Sequence, residues 1–194
     1  MARLAIFIGG NYLKRVAEPV SVDYEKLPKE VLNFIGSRSA EPVDLLRTYY
    51  YDCLPWQSEK PTDEERRRFS AKSNYHSWLE SLPRFSVREG VLKRRAGRRG
   101  KPRFEQKRVD VLLALDLATL SLKNQISHAA IITGDNDFVP AVEIARAEGV
   151  LVWLFHEEHR HTSNELRQAA DERIGLDQNF LNNVAHIRQQ ASEQ

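Results

Sequence analysis

Asp135 and Asp137 stand one residue apart in Thr133-Gly134-Asp135-Asn136-Asp137-Phe138, directly after the apolar run Ala129-Ala130-Ile131-Ile132. The pattern reads as a buried strand followed by a helix with Pro140 in its first turn. It puts two carboxylates at the carboxyl end of a strand, where open α/β sheets keep their active sites. Hard oxygen donors of this kind suit a divalent cation. For Asp137 a plain helix cap is an equal reading, its oxygen accepting a backbone N–H of the first turn. Asp135, at the strand's exit, needs water or a partner for its charge. The spacing alone is moderately specific, because a D-x-D after a strand also serves phosphatases and sugar transferases.

Asp110 and Asp116 are the next candidates, since their segment, Val109 to Leu122, is otherwise almost entirely apolar. A carboxylate there needs a partner, a metal or water. On a helix the two lie about 120° apart around the axis and roughly 9 Å apart along it, so they do not easily share one ligand. Asp110, in the first turn, is better placed to reach the strand ends. Asp116 divides evenly between a metal role and a hydrogen bond within the fold.

Charge supplies a second theme. Residues 93–108 hold nine basic side chains, Lys93, Arg94, Arg95, Arg98, Arg99, Lys101, Arg103, Lys107 and Arg108, against Glu105 alone. This segment carries +8 and the remaining chain, with 20 basic and 26 acidic residues, carries −6. A basic stretch on an acidic body is an electrostatic footprint for a polyanion, RNA or DNA. Gly97 and Gly100 make it a flexible loop, and a solvated loop with no ligand is the competing reading.

Positioning these residues requires strands and helices in alternation, the pattern of a mainly parallel sheet covered on both faces. Strands are expected at Leu4 to Ile8, Val43 to Tyr51, Phe85 to Leu92, Ala129 to Thr133 and Val150 to Phe155. Helices are expected over about Tyr24 to Ile35, Thr62 to Leu82, Val109 to Leu122, Phe138 to Ala147 with Gly149 as its cap, and Ser163 to Ala170. The 194 residues and 41% hydrophobic content suit one domain. Residues 177–194 read as a polar helical tail. The single Cys53 excludes an internal disulfide and any multi-cysteine zinc site. No apolar run reaches the roughly 18 residues of a membrane span. The start of the chain reads as a strand rather than a signal-peptide core, so the expectation is a cytoplasmic protein with no membrane partner.

Taken together, Ile6-Phe7-Ile8-Gly9-Gly10-Asn11-Tyr12-Leu13, Gln106-Lys107-Arg108-Val109-Asp110-Val111, Asp116 and Gly134-Asp135-Asn136-Asp137-Phe138 resemble the NYN domain. This is the LabA-like branch of the PIN-like nuclease superfamily. Order and spacing match from about residue 3 to residue 176, and Ser163-Asn164-Glu165-Leu166 before Ala170-Asp171 is similar to the family's ending. The resemblance implies a PIN-like, Rossmannoid three-layer α/β sandwich with a mainly parallel five-stranded sheet of order 3-2-1-4-5, strands one and four adjacent. It implies a metal-dependent endoribonuclease that uses Mg²⁺ or Mn²⁺. Carried over residue by residue, Asp110, Asp135 and Asp137 are the expected ligands, with Asp116 less central. Asn11 orders the site or holds water, and Thr133 orients an aspartate.

Two positions depart from the pattern. The family has aspartate where this chain has Gly9, and a glycine where it has Arg108. Losing a carboxylate at the centre of the cluster weakens metal binding, which leaves an RNA-binding or scaffold module of the same fold as the alternative function. An acidic-cluster phosphatase is disfavoured because the D-x-D at the end of strand one is missing. The expected partner is RNA, and a homo-oligomer stays open. His156-Glu157-Glu158-His159 has zinc-ligand spacing, but a solvated loop is the favoured reading. Tyr49-Tyr50-Tyr51 reads as strand filler before base-stacking surface, and Trp56 and Trp78 as packing for the polar helix.

Overall fold

Period-two alternation of apolar side chains builds the centre of this molecule. In β1 (Ala2–Gly9), Leu4, Ile6 and Ile8 enter one hydrophobic cluster while Ala5 and Phe7 enter another. The same split recurs in β5 (His128–Ile132) and β6 (Leu151–His156). Successive side chains of a strand point to opposite faces, so a run that is apolar throughout is buried on both. One face is covered by α1 (Gly10–Ala17), α2 (Leu27–Gly36), α3 (Asp63–Ser81) and α7 (Gln178–Asn183). The other is covered by α4 (Val109–Leu122), α5 (Val139–Ala147) and α6 (Asn164–Ala169). The computed structural model describes residues 1–95, 103–157 and 162–186.

The remaining strands are β2 (Val43–Cys53), β3 (Phe85–Arg95), β4 (Arg103–Lys107) and β7 (Glu172–Gly175). The sheet has seven strands in the order β4-β3-β2-β1-β5-β6-β7, which corrects the expected five-stranded sheet by adding one strand at each edge of β3-β2-β1-β5-β6. All described pairings are parallel except β3 with β4. The two unexpected strands lie at the edges, where little burial is available to mark them. β7 has only four residues, none of them buried. β4 lies inside the basic segment, whose charge pattern reads as a loop. The expected adjacency of the first strand and the strand before Asp135 stands, with Ile8 opposite Ile132.

Local signals place the helices. Thr62 and Glu65 form a reciprocal capping box at the start of α3, which anchors an otherwise polar helix. Ser163 caps α6 and Asp177 caps α7 through side-chain oxygens. Helix α1 was not expected, because Gly9-Gly10 breaks the pattern ahead of Tyr12, Leu13, Val16 and Ala17. The tail is more than a polar appendage: α7 buries Phe180 and Leu181, and Ala185 bridges to Val22. Residues 187–194 lie outside the described residues. No described helix is long and apolar enough to cross a membrane.

A buried ionic group ties α3 to the end of β2. Asp52 accepts from the Lys72 ammonium at 2.5 Å, from the Tyr50 hydroxyl at 3.2 Å and from the Cys53 N–H at 2.7 Å. Burial works against its charge, but His76, 3.8 Å away, and Lys72 outweigh that and hold the carboxyl at about 2. A carboxylate whose folded value lies below its ordinary 3.8 stabilises the fold fully above that pH and loses the contribution as pH falls toward 2. The shift corresponds to about 2 kcal/mol. Urea unfolding should therefore show the stability gap between wild type and Asp52→Asn shrinking by about 2 kcal/mol on going from near-neutral pH to pH about 2. A gap independent of pH would remove Asp52 from this role.

Candidate active site

The carboxyl ends of β1 and β5 lie side by side, and the chain leaves them in opposite directions across the sheet, β1 toward β2 and β5 toward β6. Such a switch point opens a crevice above the sheet. Here it holds a cavity of ≈ 390 Å³ lined by Gly9, Asn11, Arg15, Tyr51, Asp110, Thr133, Asp135 and Ser163, among others.

Each wall has a local cause. Gly9 ends β1 and precedes α1 with φ −70° and ψ 98°, a conformation open to any residue. Gly10 is different, because a Cβ there would stand 2.3 Å from the Tyr50 ring. Asn11 and Arg15, four residues apart, share the face of α1 that borders the cavity. Asp110 is set by the approach of β3 to the start of α4. A Cβ on Gly90 would lie 2.5 Å from Val109 and 2.6 Å from the Lys107 carbonyl, so glycine admits the helix start this close. Arg108 turns the chain into α4 at φ +74°. Glycine adopts that region freely and other residues pay about 1–2 kcal/mol, which accounts for a glycine in the usual motif.

Asp135 and Asp137 exchange their expected parts. After β5, a single 3-10 turn (Asn136–Phe138) comes before α5, and Asp135 is its cap, accepting the Asp137 N–H at 3.1 Å. Asp137 caps nothing and is exposed outside the cavity lining. The buried Thr133 and Gly134 connect the turn to the sheet, and the Ser163 N–H donates to the Gly134 carbonyl at 2.9 Å. Asp116 lies apart from the cavity. It accepts from the Tyr51 hydroxyl at 2.9 Å and from Arg88 Nε at 3.0 Å, so its charge is met within the fold. Tyr51 itself borders the cavity and links the two places.

Electrostatics joins the remaining three carboxylates. Partial burial raises the Asp110 carboxyl above the ordinary range, and the charges of Asp135 and Asp137 raise it further. This mutual repulsion is what a bound cation would relieve. Two facts limit the donor set. Among the described residues, no three His, Cys, Asp or Glu side chains converge closely enough to hold a metal ion. Position 9 contributes no side chain. Asp110 and Asp135 with Asn11 and Thr133 therefore suit a hydrated hard cation held by one or two carboxylates and waters, and not a protein-only cage.

Other expected residues distribute as follows. Lys93, Arg94 and Arg95 lie on β3, Arg103 and Lys107 on β4, and Arg108 just before α4. In its described part the basic segment is thus a β-hairpin where a loop was expected. Arg98, Arg99 and Lys101 lie outside the described residues. Glu105 pairs with Arg95 at 3.2 Å and with Lys107 at 2.5 Å. His156 is buried with Nδ1 at the Glu157 carbonyl, and Glu158 and His159 lie outside the described residues. Tyr49, Tyr50 and Tyr51 are all buried, which excludes them as a base-stacking surface. Sequence reasoning did not place Arg15, Tyr51 or Ser163 at the cavity; Arg15 had a signal in its four-residue spacing from Asn11, and Ser163 in the segment similar to the family's ending.

The sequence model of the NYN domain matches residues 3–177. The curated protein "Low amplitude and bright protein LabA" from Synechococcus elongatus is 26% identical over 176 residues, covering 90% of this chain and 84% of that protein. Among solved structures, a protein of unknown function from Vibrio parahaemolyticus superposes with a TM-score of 0.57 at 18% identity, covering 91% of this chain and 94% of that one. That likeness concerns the fold alone.

Removing either neighbouring charge should bring the Asp110 carboxyl down toward its ordinary range. Carboxyl-detected NMR titration of Asp135→Asn and Asp137→Asn checks this, with the larger shift expected for Asp135→Asn, the first of the two in influence. An Asp110 titration untouched by either variant would mean the three carboxylates do not share a field.

Proposed function

The chain belongs to the NYN domain family, and we propose that the cavity at the ends of β1 and β5 is a metal-dependent endoribonuclease site that hydrolyses RNA phosphodiester bonds. NYN domains are generally nucleases of the PIN-like superfamily. The observation that carries the reading is the pairing of Asp110 and Asp135 in one cavity at the sheet's switch point, with the Asp110 carboxyl raised above its ordinary range by partial burial and by the charges of Asp135 and Asp137. Asp110 and Asp135 would hold Mg²⁺ or Mn²⁺, with Asp137 adding negative potential from the rim. When bound, such an ion polarises a phosphoryl oxygen and acidifies water.

The chain's own residues would do the rest. Arg15 brings a guanidinium to the wall of an otherwise acidic cavity and offsets the charge of the entering phosphodiester. The Asn11 amide can accept from a water and donate to a phosphate oxygen at once. Thr133, buried in the wall of the same cavity, has a hydroxyl that would orient Asp135. Water adds to phosphorus, the P–O bond to the leaving nucleotide breaks, and its oxygen takes up a proton. Lys93, Arg94, Arg95, Lys107 and Arg108 draw the RNA backbone toward the cavity, and binding should weaken steeply with salt.

Gly9 favours a second reading, a module that binds RNA and cuts it feebly or not at all. A Cβ at position 9 would stand 3.3 Å from the Ile132 carbonyl, a tight contact that asks the strand backbone to give by a few tenths of an ångström, and 3.5 Å from Thr133 Oγ1, which is ordinary contact.

The discriminating experiment compares wild type, Gly9→Asp and Asp135→Asn on structured and unstructured RNA with Mn²⁺, Mg²⁺ or EDTA. Gly9→Asp should cut faster by at least about tenfold, since even outer-shell partners of a metal are worth about 10–100-fold. Asp135→Asn should lose more than about a hundredfold from whichever background cuts. Metal-dependent cleavage by Gly9→Asp alone would establish the second reading for this chain. Cleavage that survives Asp135→Asn in a clean preparation would overturn the site assignment.

A further inference from the structure

The basic hairpin does more than carry charge. β3 pairs with β2 only as far as Gly90, opposite Cys53; from Val91 to Arg95 its partner is β4 alone. The hairpin therefore projects past the carboxyl edge of the parallel strands, the edge that holds the cavity, by about 16 Å. Its return strand ends at Lys107, three residues before Asp110. Whatever lies along this hairpin is led to the candidate site.

Arg94 and Phe104 are directly opposed in the antiparallel ladder and so share a face. Trp56, three residues beyond the end of β2, packs under both. Its ring lies 5.9 Å from that of Phe104 at an interplanar angle of 46°, and the Arg94 guanidinium stands 5.1 Å from its centroid. Phe104 nevertheless remains 47% exposed. A large aromatic ring is thus held in place and open to solvent on a hairpin that carries Lys93, Arg94, Arg95 and Lys107, the combination of π-face and cations with which single strands are held.

We propose that Phe104, braced by Trp56, is a platform on which a base of single-stranded RNA stacks while Arg94 and its basic neighbours hold the flanking phosphates. This rests on the nucleic-acid reading above and narrows it to unpaired strands. Stacking needs a free base face, which a duplex hides, and every base has one, so the platform selects single strands without selecting sequence. Charge disfavours the obvious rival, an apolar protein partner, because Lys93, Arg94, Arg95 and Lys107 crowd the same hairpin against Glu105 alone.

The test is fluorescence anisotropy in EDTA, which prevents cleavage, with three labelled probes: a short single-stranded RNA, an abasic strand of the same length and charge, and a blunt duplex. Wild type should prefer the base-bearing strand to the abasic one. Phe104→Ala should weaken the base-bearing strand by about tenfold and leave the abasic strand, the duplex and the salt slope unchanged. Phe104→Trp should keep or tighten it. Equal affinity of wild type for the base-bearing and abasic strands overturns the platform while leaving RNA binding intact. So does a Phe104→Ala variant that binds every probe like wild type, the result expected if this ring docks a protein. If none of the probes binds, the nucleic-acid reading itself fails and the platform with it.

Discussion

Two-sided burial of β1 is the constraint from which the rest of the architecture follows. Leu4, Ile6 and Ile8 belong to one helical layer and Ala5 and Phe7 to the other, so this strand can sit only between two covered faces. Pairing with β2 on one edge and β5 on the other leaves its carboxyl end flanked by the turn after β5. Because parallel strands demand crossover helices, α1 and α5 start at that same edge. Gly9, Asn11, Thr133 and Asp135 are neighbours as a consequence of how an apolar strand is buried.

Repulsion among carboxylates is the counterpart of that placement. Asp110, Asp135 and Asp137 contribute nothing to the core, and partial burial together with the charges of Asp135 and Asp137 raises the Asp110 carboxyl above its ordinary range. A fold selected for stability alone has no use for such a group. Asp116 shows how the same residue type behaves when it is structural. It stands on the same helix, yet Tyr51 and Arg88 satisfy it completely enough to remove it from the cavity. The contrast between the two aspartates of α4 separates a carboxylate that lines the cavity from one whose charge is met within the fold.

Much of this was legible in the residues. Strictly apolar runs marked β1, β5 and β6 because burial on both faces leaves no ambiguity about them. Caps at Thr62, Ser163 and Asp177 marked three helix starts because an N–H without a partner selects those side chains. Edge strands were illegible for the opposite reason. β7 and β4 bury little, and their pairing depends on neighbours distant in the chain. Trp56 illustrates the same limit. Its nearest residues in sequence suggest packing on α3, whereas its actual partners, Arg94 and Phe104, lie 38 and 48 residues away.

By itself, then, the sequence determined which segments must be buried and which residue types stand at their ends, since hydrophobic period and side-chain chemistry are local properties. It marked Asp110, Asp135, the vacancy at Gly9 and the concentration of positive charge. Only the tertiary structure decided which carboxylates face one another, that Asp135 rather than Asp137 caps the turn, and that Asp116 answers to Arg88. It also turned a basic loop into a projecting hairpin with an aromatic face. These outcomes depend on distances between residues far apart in the chain, and such distances exist only once the sheet has closed around β1.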